Sequence, residues 1–259
     1  MNLVPLVIIG VAVMFILGIR FLSSPKTARL GNLVAAAGMF IALIVLQKQH
    51  GDNVWAHGWT FNHTLIAIGI GGGLIIGAMG AYSVKMTSMP QMVALFNGLG
   101  GGAAALVASL EFIKGTGGPA GAGSHEVTTF VAISMLFATL IGSLSFSGSI
   151  IAYLKLEGKF EKPVTFPGQH IVNGIILLAI AGLCGWLACD PSNSNATAAF
   201  IAMSLLVLFF GVAMVTPIGG ADMPVVISLL NSFTGLAVAA DGFAINNLAM
   251  VVGGTLVGS

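Results

Sequence analysis

Nine apolar runs, each long enough to cross a lipid bilayer, follow one another along this chain with only short polar or Pro/Gly breaks between them. They fall at roughly 3–22, 31–47, 64–84, 89–113, 126–154, 170–188, 196–216, 222–241 and 243–259. In hydrocarbon every backbone N–H and C=O must be satisfied within the protein, and a continuous helix does this segment by segment. The runs therefore predict an all-α, polytopic membrane helix bundle of about nine transmembrane helices. Several runs touch only short loops, so eight or ten helices also fit. Composition points the same way. Of 259 residues, 57% are hydrophobic and 7% are charged. A soluble domain carries about a quarter charged residues, and this chain has too few to cover a water-facing surface.

Charge placement orients the bundle. Alternate loops hold Arg20, Lys26 and Arg29, then Lys85, then Lys155, Lys159 and Lys162, while the other loops hold only Lys48 and Lys114. Lys and Arg mark the cytoplasmic side, which predicts an outside N-terminus and a cytoplasmic C-terminus. The first run lacks a basic leader and an A-x-A site, so it reads as a span and not as a cleaved signal. A net charge of +1 gives no hint of nucleic acid. Cys184 and Cys189, five apart with no histidine nearby, are poor metal-ligand spacing and read as apolar packing residues. No metal site is expected.

Two stretches nearly repeat each other. "SMPQMVALFNGLGG" begins at Ser88 and "DMPVVISLLNSFTG" at Asp222, 134 residues later. Met, Pro, Leu, Asn and one Gly coincide, and the predicted orientation makes the two helices parallel. Ser88 and Asp222 stand just before a proline in a helix's first turn, where a side-chain oxygen caps the helix. Capping accounts for Ser88. For Asp222 a second role stays equally open, because a carboxylate at the cytoplasmic mouth of an inward-facing helix can gather or release a proton. Asn97 and Asn231 lie about 10 Å further along at 1.5 Å per residue. An amide at that depth needs partners. It serves either as glue between helices, worth about 0.6–2 kcal/mol, or as an orienting group beside water or a proton carrier.

Small residues complete the pattern. Gly69, Gly73 and Gly77 recur every four residues, which lets helices approach closely. Their spacing misses the G-x-G-x-x-G of a dinucleotide loop, and no strand precedes them. Ser143, Ser145, Ser147 and Ser149 form two stripes on one helix. They are either bonded back to the preceding turn or a wet inner wall. Titratable groups are absent from the deep interior. His50, His57, His63, His125 and His170 fall in loops or at helix ends, and Glu111, Lys114 and Asp241 fall near outer ends. A chain that moves protons alone buries its own ionisable group, so the cargo is neutral or another chain supplies the carrier.

"IGGADMPVVISLLNSFTGLAVAADGF" at Ile218–Phe243, followed by "GGTLVGS", closely resembles the β subunit of proton-translocating NAD(P) transhydrogenase. "KMTSMPQMVALFNGLGGGAAALVA", "SFSGSIIAYLKLEGK" and "FPGQH" fit the same pattern in order, so the resemblance spans essentially the whole chain. It implies that residues 1–259 form a proton-translocating membrane domain, with an NADP(H)-binding domain expected after residue 259. It implies hydride transfer between NADH and NADP+ coupled to proton movement, with NAD(H) and NADP(H) bound in the complete enzyme and no cofactor in this chain. The hydride-transfer site then lies outside these residues. Asp222, Asn231 and neighbouring Ser232 are implied in the proton path, and Gly258 and Ser259 in the cytoplasmic junction. Asn97 occupies a position that is histidine in some members. Members with asparagine there place a histidine on an α-side helix, which implies an α subunit supplying further helices and a channel histidine. A dimeric complex in a bacterial cytoplasmic (inner) membrane is the implied setting. Read without the resemblance, the chain also fits a secondary transporter for a small polar solute or a non-conducting structural subunit.

Overall fold

The computed structural model describes residues 4–49, 58–117, 128–160, 162–191 and 193–259. His50, His57 and His125 lie outside the described residues. Nine α-helices and no strand occur among those described: α1 (Val4–Leu22), α2 (Ala28–Gln49), α3 (Phe61–Ser83), α4 (Met89–Gly117), α5 (Thr129–Leu156), α6 (Gln169–Cys189), α7 (Ala196–Val215), α8 (Met223–Ala244) and α9 (Leu248–Gly258). Eight are long and apolar enough to cross a membrane. The last is shorter than its apolar run suggests, at 11 residues. An asparagine pair interrupts that run. Asn246 takes a left-handed conformation at φ 54°, and the Asn247 side chain accepts from the Met250 N–H to start α9. The result is a tight α8–α9 hairpin.

The chain divides into two compact units, Met1–Met86 and Thr87–Ser259. In the first, α1 and α2 pair closely through Gly18 and Gly31. A methyl added at Gly31 would lie 2.7 Å from the Gly18 carbonyl oxygen. Helix α3 behaves differently, since His63 in its first turn is its one buried residue. Among the described residues of this unit, Gly69, Gly73 and Gly77 have no atom within 4 Å of an added Cβ. Their spacing builds a shallow groove, but only a neighbouring helix turns a groove into a contact.

In the second unit α5 is the hub, packed against α4, α7 and α8. Apart from Lys155 at its end, it is small or apolar on every side, as suits a helix enclosed by others. Phe112 of α4 and Phe200 of α7 stack with ring centroids 4.6 Å apart in the adjoining core. Two glycine crossings bring backbones together. A methyl on Gly142 of α5 would lie 2.7 Å from the Gly101 carbonyl oxygen, and one on Gly254 of α9 would lie 2.6 Å from that of Gly235. Gly101 and Gly235 are the shared glycines of the repeat, used on different partners.

The repeat also sets register. Each copy opens with a 3-10 turn, Met86–Ser88 and Gly220–Asp222, that leads directly into its helix. Gly100 and Thr234 are equivalent positions 134 residues apart, and they touch: a methyl on Gly100 would lie 3.4 Å from Thr234 Cγ2. Further along, Ala104 clusters with Ala237 and Ala108 with Ala240, so α4 and α8 run parallel with matching residues close to one level, Asn97 and Asn231 among them. Large apolar side chains such as Leu106 and Val225 face outward, where lipid replaces water as solvent.

Candidate functional site

The three-helix meeting point of α4, α5 and α8 is polar at one level. Asn97 is buried, and its side-chain NH2 donates to Ser149 Oγ at 2.9 Å and to Ser145 Oγ at 3.3 Å. Ser145 reaches α8, with its hydroxyl 2.6 Å from Thr234 Oγ1 and 2.9 Å from the Leu230 carbonyl oxygen. Thr234 can also donate to that carbonyl, at 3.1 Å. Either hydroxyl can be the donor in the Ser145–Thr234 pair, because each carries one hydrogen and two lone pairs. Small neighbours make room for this cluster. Gly98 and Gly101 flank Asn97 and bring the α4 backbone against Ser149 and Ser145.

The two serine stripes have separate fates. Ser147 donates back to the Ser143 carbonyl within α5, which is helix-internal satisfaction. Ser145 and Ser149 instead bond across helices. One acceptor in the cluster is left over: Asn97 Oδ1 is buried with no hydrogen-bond partner among the described residues. Leaving such an acceptor dry costs about 1–3 kcal/mol.

The other sequence-derived residues are placed as follows. Asn231 is level with Asn97, but its side chain is exposed on the outside of the unit. Ser232 is half-buried and makes no side-chain bond to the cluster, while Thr234, two residues on, does. Spacing alone could not separate them, although Thr234 sits on the same face as Leu230 and Ser232 does not. Asp222 is exposed and makes no capping hydrogen bond to α8. Ser88, expected to cap α4, makes none either. The preceding 3-10 turn explains both cases, since backbone carbonyls there take up the first N–H groups, as Gly220 does for Met223. Gly258 packs on α8, where a methyl would lie 3.3 Å from the Ser232 carbonyl oxygen, and Ser259 bonds to Leu256 O.

Lys155 went unremarked in the sequence except as a loop charge. Its side chain is buried, and its ammonium donates to the carbonyls of Thr216 and Ile218, each at 2.7 Å. It thus caps the C-terminal end of α7 and ties α5 to the segment that leads into the Asp222 turn. Cys184 packs in the core with its thiol 3.2 Å from Met203 Sδ, and both cysteines are free. No metal-binding group of His, Cys, Asp and Glu occurs among the described residues.

Apolar helices of spanning length, lipid-like outer surfaces and a polar cluster sealed between three of them define a polytopic integral membrane protein. The family described as NAD(P) transhydrogenase beta subunit matches residues 4–259. The NAD(P) transhydrogenase subunit beta of Rhodospirillum rubrum is 40% identical over 249 residues, covering 95% of this chain and 51% of that protein. The chain belongs to the NAD(P) transhydrogenase beta-subunit family, and it spans about half the length of the curated relative it matches.

Proposed function

We propose that this chain supplies the membrane proton path of a proton-translocating NAD(P) transhydrogenase, the part that couples hydride transfer between NADH and NADP+ to proton movement. The observation that carries this reading is the buried Asn97–Ser145–Ser149–Thr234 cluster with its unused Asn97 Oδ1. Hydroxyls that can exchange donor and acceptor roles pass a proton without changing net charge, and an amide holds them in line. The cluster has no titratable member, so the carrier comes from elsewhere. A histidine on a helix of a partner α subunit fits, because water and amides can solvate both of its charge states. Asp222, exposed at the start of α8, serves as the proton collector at the cytoplasmic mouth, with the N-terminus outside and the C-terminus inside. Residues 1–259 act as the translocating domain, and NAD(H) and NADP(H) bind to other parts of the enzyme, in the inner membrane of a bacterium.

The test is reconstitution of the complete enzyme around this chain in sealed vesicles containing a pH indicator. Hydride transfer should drive a pH change that an uncoupler abolishes. Hydride transfer with no pH change would refute the reading.

A further inference from the structure

Asp241 stands apart from everything used so far. It lies near the end of α8, where its sequence position suggests a carboxylate meeting water. In the folded chain it is 1% exposed, and neither carboxyl oxygen has a hydrogen-bond partner among the described residues. The reason is the unequal length of its neighbours. Ala240 packs with Ala108 of α4 and Ala138 of α5. Both helices run on for nine residues beyond that level, to Gly117 and back to Thr129. That is about 13 Å of helix at 1.5 Å per residue, enough to roof the carboxyl. The α8–α9 turn closes the remaining side, with Gly242 against Val251 and Asn247.

The position relative to the cluster is equally informative. Thr234, Ala237 and Asp241 share one face of α8 at helical spacing. Between Thr234 and Asp241, about 10 Å along the axis, the contact is an apolar plug of Ala104, Ile141 and Ala237. Asp222 and Asp241 stand 19 residues apart on this helix, about 28 Å, close to the ~30 Å of a bilayer's hydrocarbon core. Among the described residues, charged groups on the neighbouring helices are few. On α4, Glu111 and Lys114 are exposed and paired with each other at 3.5 Å. The charged residues of α5 in this unit are confined to Lys155 at its far end, and α9 has none.

We infer that Asp241 is a second proton-binding carboxyl of the membrane path, a gate on the side away from Asp222, separated from the hydroxyl cluster by the Ala104–Ile141–Ala237 plug. An ionised carboxylate packed among alanines, with no donor among the described residues, is costly. When water crosses the plug on one side or passes the roof on the other, the O–H bond breaks toward that water. The carboxylate left behind takes a proton from the opposite side, and no other reactant is needed. This inference rests on the proposed proton path.

The experiment uses the complete enzyme in vesicles, with Asp241→Asn and Asp241→Glu variants, proton translocation as one readout and infrared difference spectroscopy of the protonated carboxyl band as the second. Asp241→Asn should assemble with parental thermal stability, lose the deuterium-sensitive carboxyl band, and slow translocation at least about tenfold. Asp241→Glu should retain translocation and shift the band. If Asp241→Asn fails to assemble, the band in the parent and its shift in Asp241→Glu decide the matter. A parental translocation rate in Asp241→Asn, or no protonated carboxyl band in the parent, overturns the inference. A parent that translocates no protons refutes the proposed function instead, which keeps the two failures distinct.

Discussion

The hydroxyls of Ser145 and Thr234 lie 2.6 Å apart across the α5–α8 contact, and both can donate to the same Leu230 carbonyl. With Asn97 donating to Ser145 from a third helix, Ser145 is the junction of the cluster. Ser145→Ala should cost about 1–3 kcal/mol, since it leaves one buried N–H of Asn97 without its acceptor. Thr234→Val should cost less, because Ser145 keeps the Leu230 carbonyl as acceptor. A double-mutant cycle by thermal unfolding in detergent should show coupling of at least about 0.5 kcal/mol. Additive effects would mean the two hydroxyls do not communicate.

Glycine contacts give a contrast within one chain. Gly142→Ala forces a methyl against the α4 backbone, 2.7 Å from Gly101 O and 2.9 Å from Ala105 N. The expected loss is about 1–3 kcal/mol. Gly73→Ala meets nothing within 4 Å and should not destabilise the isolated chain, gaining up to about 1 kcal/mol from helix propensity. Thermal unfolding of both variants checks the pair, and equal losses would contradict the packing described.

Lys155 governs the approach to Asp222. Lys155→Met keeps the apolar stem but removes the donors to Thr216 and Ile218. Amide hydrogen exchange in the 216–222 segment should speed up, consistent with about 1–3 kcal/mol of lost protection, while α5 around Ser145 keeps its protection. Unchanged exchange would show that the two carbonyls are held by other means.

Asp222 makes no capping bond, so Asp222→Asn should leave stability within about 0.5 kcal/mol. It should still impair coupled proton transfer, because an amide cannot titrate. Proton-pumping assays on the whole enzyme decide, and parental pumping would remove Asp222 from the path.

Helix positions were legible because apolar runs of spanning length leave little choice in lipid. The parallel pairing of α4 and α8 was legible from the repeat. Side-chain direction was not. Asn97 and Asn231 hold equivalent positions at one level, yet Asn97 is buried between α4 and α5 while Asn231 is exposed. Spacing also did not show that Gly18 and Gly31, Gly101 and Gly142, and Gly235 and Gly254 stand at helix crossings. The burial of Asp241 was not legible for a related reason. Its distance from its own helix end suggests exposure, while its burial is decided by how far α4 and α5 extend past it.

The central claim is that protons pass the Asn97 cluster. It is tested most directly by proton translocation in vesicles holding the complete enzyme with Asn97→Leu beside Asn97→His. Leucine removes the two donors to Ser145 and Ser149 and the open Oδ1 acceptor, while histidine can bond to the serines and carry a proton itself. The account predicts that Asn97→Leu assembles but loses translocation and that Asn97→His retains it. Translocation in Asn97→Leu at the parental rate would contradict the account and leave Asn97 as packing between α4 and α5.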